Sequence, residues 1–351
     1  MTLHFNNVYV SCVATVTGPY EKEGPLGKKF DKCYDDLYCG EKTWEKAETH
    51  LLEESIDILL KKCKKKSSDI DFVVAGDLLN QICSSCYGVY KYKIPFLGIY
   101  SACSTSTEGM IIASNIIESR NAKNVIVSIS SHNMASEKQF RNPTEYGAPK
   151  PKSATFTTTG GASILLSNSK SKVRIESGTC GTICNTGMND PNNMGAAMAM
   201  AAGDTIYNHL KDTKRDINYY DLIITGDLGT FGKEILKDYM INEYGIELST
   251  NYNDSGVMIY DLENQKEVLA GGSGPCCSPL VNYSYIIPLI EKKELNRVLI
   301  VATGALFSPQ FVYQKNPILS ISHAISLESV KWYIFIRFYL LDLLVWLGKL
   351  F

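Results

Sequence analysis

Cys103 stands where a thiol can do chemistry. It ends the segment Phe96-Leu97-Gly98-Ile99-Tyr100-Ser101-Ala102, and Ser104-Thr105-Ser106-Thr107-Glu108-Gly109 follows before Met110-Ile111-Ile112-Ala113-Ser114 opens a helical pattern. An apolar, strand-like run thus stops at small residues, and the cysteine occupies the turn into a helix. A thiol at a helix N-terminus faces unpaired N–H groups and the positive end of the helix dipole, which favour the thiolate. Two kinds of chemistry suit that arrangement: acyl transfer onto sulfur, or capture of an anion by the same donors.

The elements that must position Cys103 occur twice. Asp71-Phe72-Val73-Val74-Ala75-Gly76-Asp77-Leu78 recurs as Asp221-Leu222-Ile223-Ile224-Thr225-Gly226-Asp227-Leu228, 150 residues on (77 to 227). Asn124–Ser130 recurs as Arg297–Thr303, 173 residues on (125 to 298), and that offset carries Cys103 to Cys276. The difference is an insertion around Asn251–Glu267. Each half then reads strand, Gly-Asp-Leu turn, helix, strand, cysteine turn, helix, strand. Strands without strict alternation, separated by helices, indicate parallel sheets covered on both faces. Thr43 reads as the N-cap of a helix running to about Lys65, with Trp44, Ala47, Leu51, Ile58 and Leu59 inward.

Composition narrows the function classes. Net charge is −2, so there is no basic field of the kind nucleic-acid binding demands. The run Lys61-Lys62-Cys63-Lys64-Lys65-Lys66 reads as a solvated helix end. The N-terminus lacks the basic start and long apolar stretch of a signal peptide, so the 11 cysteines read as free thiols in a reducing interior. Cys83, Cys86, Cys180 and Cys184 are open to a four-sulfur zinc reading, against inert thiols. From Val330 an apolar tail begins, interrupted by Arg337 and Asp342; each charge costs roughly 2.5–3.5 kcal/mol at a bilayer centre, so a membrane span is marginal.

These motifs resemble the thiolase and ketosynthase superfamily, whose nucleophile turn Ala102-Cys103-Ser104-Thr105 matches. More closely, the chain from about Phe5 to Glu328 resembles the stage V sporulation protein AD family. That likeness rests on Thr43-Trp44-Glu45-Lys46-Ala47-Glu48, Ala75-Gly76-Asp77-Leu78-Leu79-Asn80-Gln81, Ser130-Ser131-His132-Asn133, Pro143-Thr144-Glu145-Tyr146-Gly147, Asp190–Met198, Asn251-Tyr252-Asn253-Asp254, Gly271-Gly272-Ser273-Gly274 and Ala302–Leu306. The resemblance implies a duplicated α/β/α/β/α five-layered thiolase-like fold, with halves at 1–170 and 171–329 and a tail at 330–351 outside the likeness. It also implies binding of dipicolinic acid (pyridine-2,6-dicarboxylate), free or with Ca²⁺, and help with its uptake into the developing spore. No cofactor is expected; the implied partners are membrane proteins of the same transport complex, with a homodimer peripheral to the cytoplasmic side of the spore inner membrane.

Catalysis is the competing expectation, as an acyltransferase or condensing enzyme with Cys103 as nucleophile. Such chemistry needs a group to take the thiol proton and another to stabilise the oxyanion. In the superfamily these lie on the second-half turns, here Gly226-Asp227-Leu228-Gly229 and Leu269–Gly274, and no histidine occurs between His209 and His323. Asp227, as a nearby carboxylate, would raise the thiol pKa. Cys276 and Cys277 read as a buried packing pair or as an acid/base cysteine.

Capture of a small dianion needs convergent donors, a cation and a flat wall. Cys103, Ser104 and Thr105 offer N–H and hydroxyl groups; Arg141, with Lys150 and Lys152 as helpers, is the best cation, or else pairs with Glu145 or Glu137. His132 and Asn133 follow the strand at 125–129 at its carboxyl end, where open sheets bind ligands. Asn80 and Asn193 are amide donors. Asp77 and Asp227 either cap helices or face one another and help hold Ca²⁺. His50 and His209 read as surface or partly packed groups, and His323 as either pocket or support.

Overall fold

The computed structural model describes residues 1–140 and 150–330. Arg141 and the tail beyond Val330 lie outside the described residues. The Asp71 and Asp221 motifs become the strands Phe72–Gly76 and Leu222–Thr225, and the repeat extends to topology. From the junction outward the first half runs Tyr9–Thr17, Gly160–Ser167, Asn124–Ser131, Phe72–Gly76, Phe96–Gly98. The second runs Val173–Cys180, Leu319–Ser329, Arg297–Leu306, Leu222–Thr225, Tyr252–Asp254. Numbered within each half, both orders are first, fifth, fourth, second, third. Tyr9 and Val10 pair with Arg174 and Val173 and join the two sheets.

The all-parallel expectation holds for the three strands of each half farthest from the junction and fails for the last strand of each half in the chain. Gly160–Ser167 is antiparallel to both neighbours, as is Leu319–Ser329. In the second half the return from Leu306 to Leu319 is a reversal through the short helix Pro309–Tyr313, with no crossover to enforce parallel pairing.

Five layers follow from where the helices bury their faces. Thr105–Glu118 and the run Cys277–Glu291 lie between the sheets, and their apolar residues merge into one cluster containing Met110, Ile117, Leu280, Tyr283 and Ile287. The outer helices Trp44–Cys63 and Met194–Thr213 cover the opposite sheet faces with separate clusters. Both outer helices have 20 residues, begin 150 residues apart, and end on a lysine in the left-handed region, Lys64 and Lys214. Thr43 caps the first through Lys46 N–H at 3.3 Å, as its sequence predicts. Glu48, Leu52 and Ile56 are buried on that helix as well, whereas Trp44 and Ile58 are half-buried. Among the described residues, no helix is long and apolar enough to cross a membrane.

Candidate functional site

Cys103 sits in a 3-10 turn, Ala102–Ser104, that feeds the buried helix Thr105–Glu118. The turn is strained: Ala102 has φ +47°, a left-handed conformation that costs an ordinary residue about 1–3 kcal/mol. Local side chains hold it. Ser104 Oγ donates to Ser101 O at 2.7 Å, Thr105 Oγ1 donates to Ala102 O at 2.6 Å, and Ser101 N–H donates to Thr105 Oγ1 at 3.1 Å. Gly304 lets the second-half strand approach, because a Cβ there would lie 2.3 Å from Ser101 O. The hydroxyls of Ser104 and Thr105 are therefore engaged in building the turn.

Asp227 comes from the other half and meets the thiol. It accepts from Thr303 Oγ1 at 2.7 Å and from Gly274 N–H at 3.1 Å, is almost fully buried, and interacts with the Cys103 thiol by a hydrogen bond. Burial pushes the Asp227 carboxyl up to about 7. Burial, then the Asp227 charge, raise the Cys103 thiol well above its ordinary range, and the Gly274 N–H only partly opposes them. The expected thiolate is thus corrected: helix-terminal N–H groups are outweighed by desolvation and a neighbouring carboxylate.

Cys103 and Asp227 line a chamber of about 60 Å³, walled by Tyr100, Phe140, Met194, Met198 and Phe307. That volume holds a few water molecules. A cleft of about 510 Å³, within the range of small-molecule sites, lies beside it and shares Leu78, Tyr100, Phe140 and Phe307. The Phe140 and Phe307 rings pack at 5.7 Å between centroids, tilted 47°, and form the partition. Asn80 lines the outer cleft, and its N–H donates to Gln139 Oε1 at 2.9 Å. Gln81 and Ile82, also in that wall, both have positive φ. Backbone strain of this kind clusters at functional sites.

The remaining sequence candidates fall elsewhere. Asp77 accepts from Leu79 N–H at 2.8 Å and from Ser85 N–H and Oγ at 2.8 and 2.7 Å, so it organises the helix Cys83–Tyr90. The corresponding cap in the second half is Asp254, which accepts from Leu228 and Gly229 N–H, each at 3.0 Å, and leaves Asp227 to the pocket. His132 Nε2–H donates to Leu37 O at 2.7 Å while Nδ1 accepts from Ala135 N–H; burial lowers its pKa, and it lines neither cavity. Asn133 supports Thr157, which does line the chamber, through Thr157 O at 3.3 Å. Asn193 precedes the helix bearing Met194 and Met198, and its Oδ1 is buried without a partner. Lys150 pairs with Glu137 at 2.9 Å.

Histidine placement bears directly on chemistry. Among the described residues no histidine lines the chamber. His323 accepts from Gly181 N–H through Nδ1, so its Nε2–H donates to Ser101 Oγ at 3.3 Å; burial lowers it to about 4. It supports the turn without touching the sulfur. His209, read as partly packed, is fully buried between Thr179 at 2.7 Å and Tyr220 at 2.6 Å, because both ring nitrogens find hydroxyl partners. Cys276 faces Ile129 O at 3.1 Å and Gly160 O at 3.0 Å, in a packed position. No group of three or more metal-ligating side chains converges among the described residues.

Sequence reading missed Thr303, Tyr100, Phe140, Phe307, Met194 and Met198. The 150-residue offset gave one available signal: it maps Met198 onto Glu48, the buried inward residue of the matching helix.

The family model for Stage V sporulation protein AD matches residues 1–328. A Bacillus subtilis (strain 168) protein named stage V sporulation protein AD is 44% identical over 321 residues, covering 92% of this chain and 94% of its own. Among solved structures, a variant of OleA from Xanthomonas campestris aligns with TM-score 0.60 and 12% identity, over 93% of this chain and 99% of that one. The 3-oxoacyl-(acyl carrier protein) synthase III, FabH, of Xanthomonas oryzae aligns with TM-score 0.58 and 12% identity, over 92% and 99%. These two superpositions show a shared thiolase-like fold.

Proposed function

Because this chain belongs to the stage V sporulation protein AD family, a family of sporulation proteins, we propose that the cleft beside its Cys103 chamber is a receptor for dipicolinate and assists its uptake into the spore. The observation that supports this reading is a protonated thiol held against Asp227 where a nucleophile would need a base. A pyridine ring fits the flat walls offered by Tyr100 and Phe307 in the outer cleft. One carboxylate then points toward the partition and Asp227. Protonated, Asp227 presents no charge to that carboxylate; ionised, it repels it.

Charge favours the calcium chelate as the bound species. Among the described residues, the linings of cleft and chamber contain no lysine or arginine. A dianion entering them needs its charge met by Arg141 or by Ca²⁺, and the one-to-one chelate arrives neutral. Ligand handover goes to membrane proteins of the same complex. The chain pairs with a second copy along Phe96–Gly98, whose one described strand partner is Phe72–Gly76 and whose Leu97 is exposed. Displacement of terbium luminescence from its dipicolinate chelate by purified protein tests the receptor; absence of saturation at millimolar ligand overturns it.

A second reading, acyl transfer, is favoured by one observation. A carboxyl raised to about 7 lies in the range suited to a general base, and it touches the thiol. Mass spectrometry after incubation with an acyl-CoA decides: an adduct on Cys103 supports transfer, and an unmodified thiol removes it.

A further inference from the structure

A pair of neighbouring free thiols lies outside the pocket. Cys12 is on the strand Tyr9–Thr17, immediately after the irregularity between Val10 and Cys12, where pairing with Gly160–Ser167 shifts register. Cys63 is the last residue of the helix Trp44–Cys63, which crosses that strand. Cys12 shares its sheet face with Ala14, and Cys63 continues the inward stripe of Ile56, Leu59 and Leu60; all six belong to or border one apolar cluster. Both thiols are free, half-buried and hydrogen-bonded to one another.

We propose that Cys12 and Cys63 form a thiol-disulfide switch, with Cys12 as attacking sulfur and Cys63 as resolving sulfur. The Cys12 thiolate attacks one sulfur of a low-molecular-weight disulfide, forms a mixed disulfide and expels one thiol. The Cys63 thiolate then attacks the Cys12 sulfur and expels the second. Two protein thiols and one small disulfide become one protein disulfide and two small thiols, so hydrogens and electrons balance.

Electrostatics supports that division of roles. The hydrogen bond from Cys63 lowers Cys12, with Lys62 helping, against the opposing effects of burial, Glu291 and Asp31. The same contact raises Cys63, so its proton is removed last. Every other cysteine among the described residues, Cys103 included, is shifted upward. A lowered, accessible thiol beside a resolving cysteine is the arrangement of redox-sensing pairs. Closure would tie the strand at the sheet junction to the helix covering it.

Peptide mapping of the full chain, without reduction, after treatment with oxidised glutathione tests this. The expected product is a linked Cys12–Cys63 peptide two hydrogens lighter than the separate pair, with a thermal midpoint raised by roughly 5 °C. Cys63→Ser should stop at a glutathione adduct on Cys12, and limited iodoacetamide should label Cys12 first. A glutathione adduct that persists on Cys12 in the unsubstituted protein, or first labelling at Cys103, overturns the proposal. The map of the unsubstituted protein decides alone if the variant does not fold.

Discussion

The Cys103 thiol and the Asp227 carboxyl are hydrogen-bonded partners drawn from opposite halves of a duplicated fold. Each half supplies one member, so the pair exists only when the central layer is packed. The symmetry-related place is closed instead. Glu48, the counterpart of Met198, is fully buried there, accepts from Ser130 Oγ at 3.2 Å, and acts electrostatically on Cys276. One of two equivalent turns is therefore a cavity and the other is core.

Removing the Asp227 charge should wake the thiol. Asp227→Asn leaves the chamber volume unchanged and removes the carboxylate that opposes ionisation of Cys103. Alkylation of Cys103 at neutral pH should quicken severalfold, read by mass spectrometry of the Cys103 peptide. An unchanged rate would mean that burial alone controls the sulfur.

The contribution of two buried carboxyls to stability should fall as pH rises from about 4 to about 7, against the opposite contribution of His209 and His323, which burial lowers to about 4. Burial raises both Asp227 and Glu21 to about 7, so the folded protein holds protons that the unfolded chain has released. Stability from these groups is fully present below the unfolded carboxyl range and is lost as pH climbs to the folded values, by on the order of 3 kcal/mol per group. Thermal melts of the unsubstituted protein and of Glu21→Gln across that range isolate the carboxyl term: relative to Glu21→Gln, the unsubstituted protein should lose stability as pH rises.

Glu48→Gln gives a second, separable test of buried charge. Burial raises the Glu48 carboxyl well above its ordinary range, with Asp77 adding to the shift, and Oε2 has no partner. The substitution should leave acid-side stability unchanged and raise stability at alkaline pH by about 1–2 kcal/mol. Denaturant melts on both sides of neutrality distinguish this from a uniform effect.

Phe307→Ala should open the partition between cleft and chamber. The ring packs on Phe140 and walls both spaces, so its loss should speed alkylation of Cys103 and weaken dipicolinate binding about tenfold. His132→Ala makes the contrast: it breaks the bond to Leu37 O and should cost about 1–3 kcal/mol of stability while leaving affinity unchanged. Calorimetric titration of both variants reads the difference.

Much of the fold was legible because its signal is repetition. The Asp77 and Asp227 motifs share an offset of 150, the helices at Trp44 and Met194 share it, and the repeated strand order follows. The pocket was legible at Cys103 and Asp227 through motif position. It was illegible at Phe140, Phe307 and Thr303, whose place depends on which loop ends meet across the central layer. Local reading also treated Asp77 and Asp227 alike; their roles diverge because Asp254 supplies the second-half cap. The thiolate expectation failed for a related reason, since burial is a property of the packed halves.

Calorimetric titration of dipicolinate into the full chain, with and without calcium, at about pH 6 and about pH 8 is the most direct test of the receptor. Saturable binding, tighter at the lower pH where Asp227 carries its proton, is the result expected. No saturable heat at either pH, with or without calcium, would contradict the assignment of this cleft.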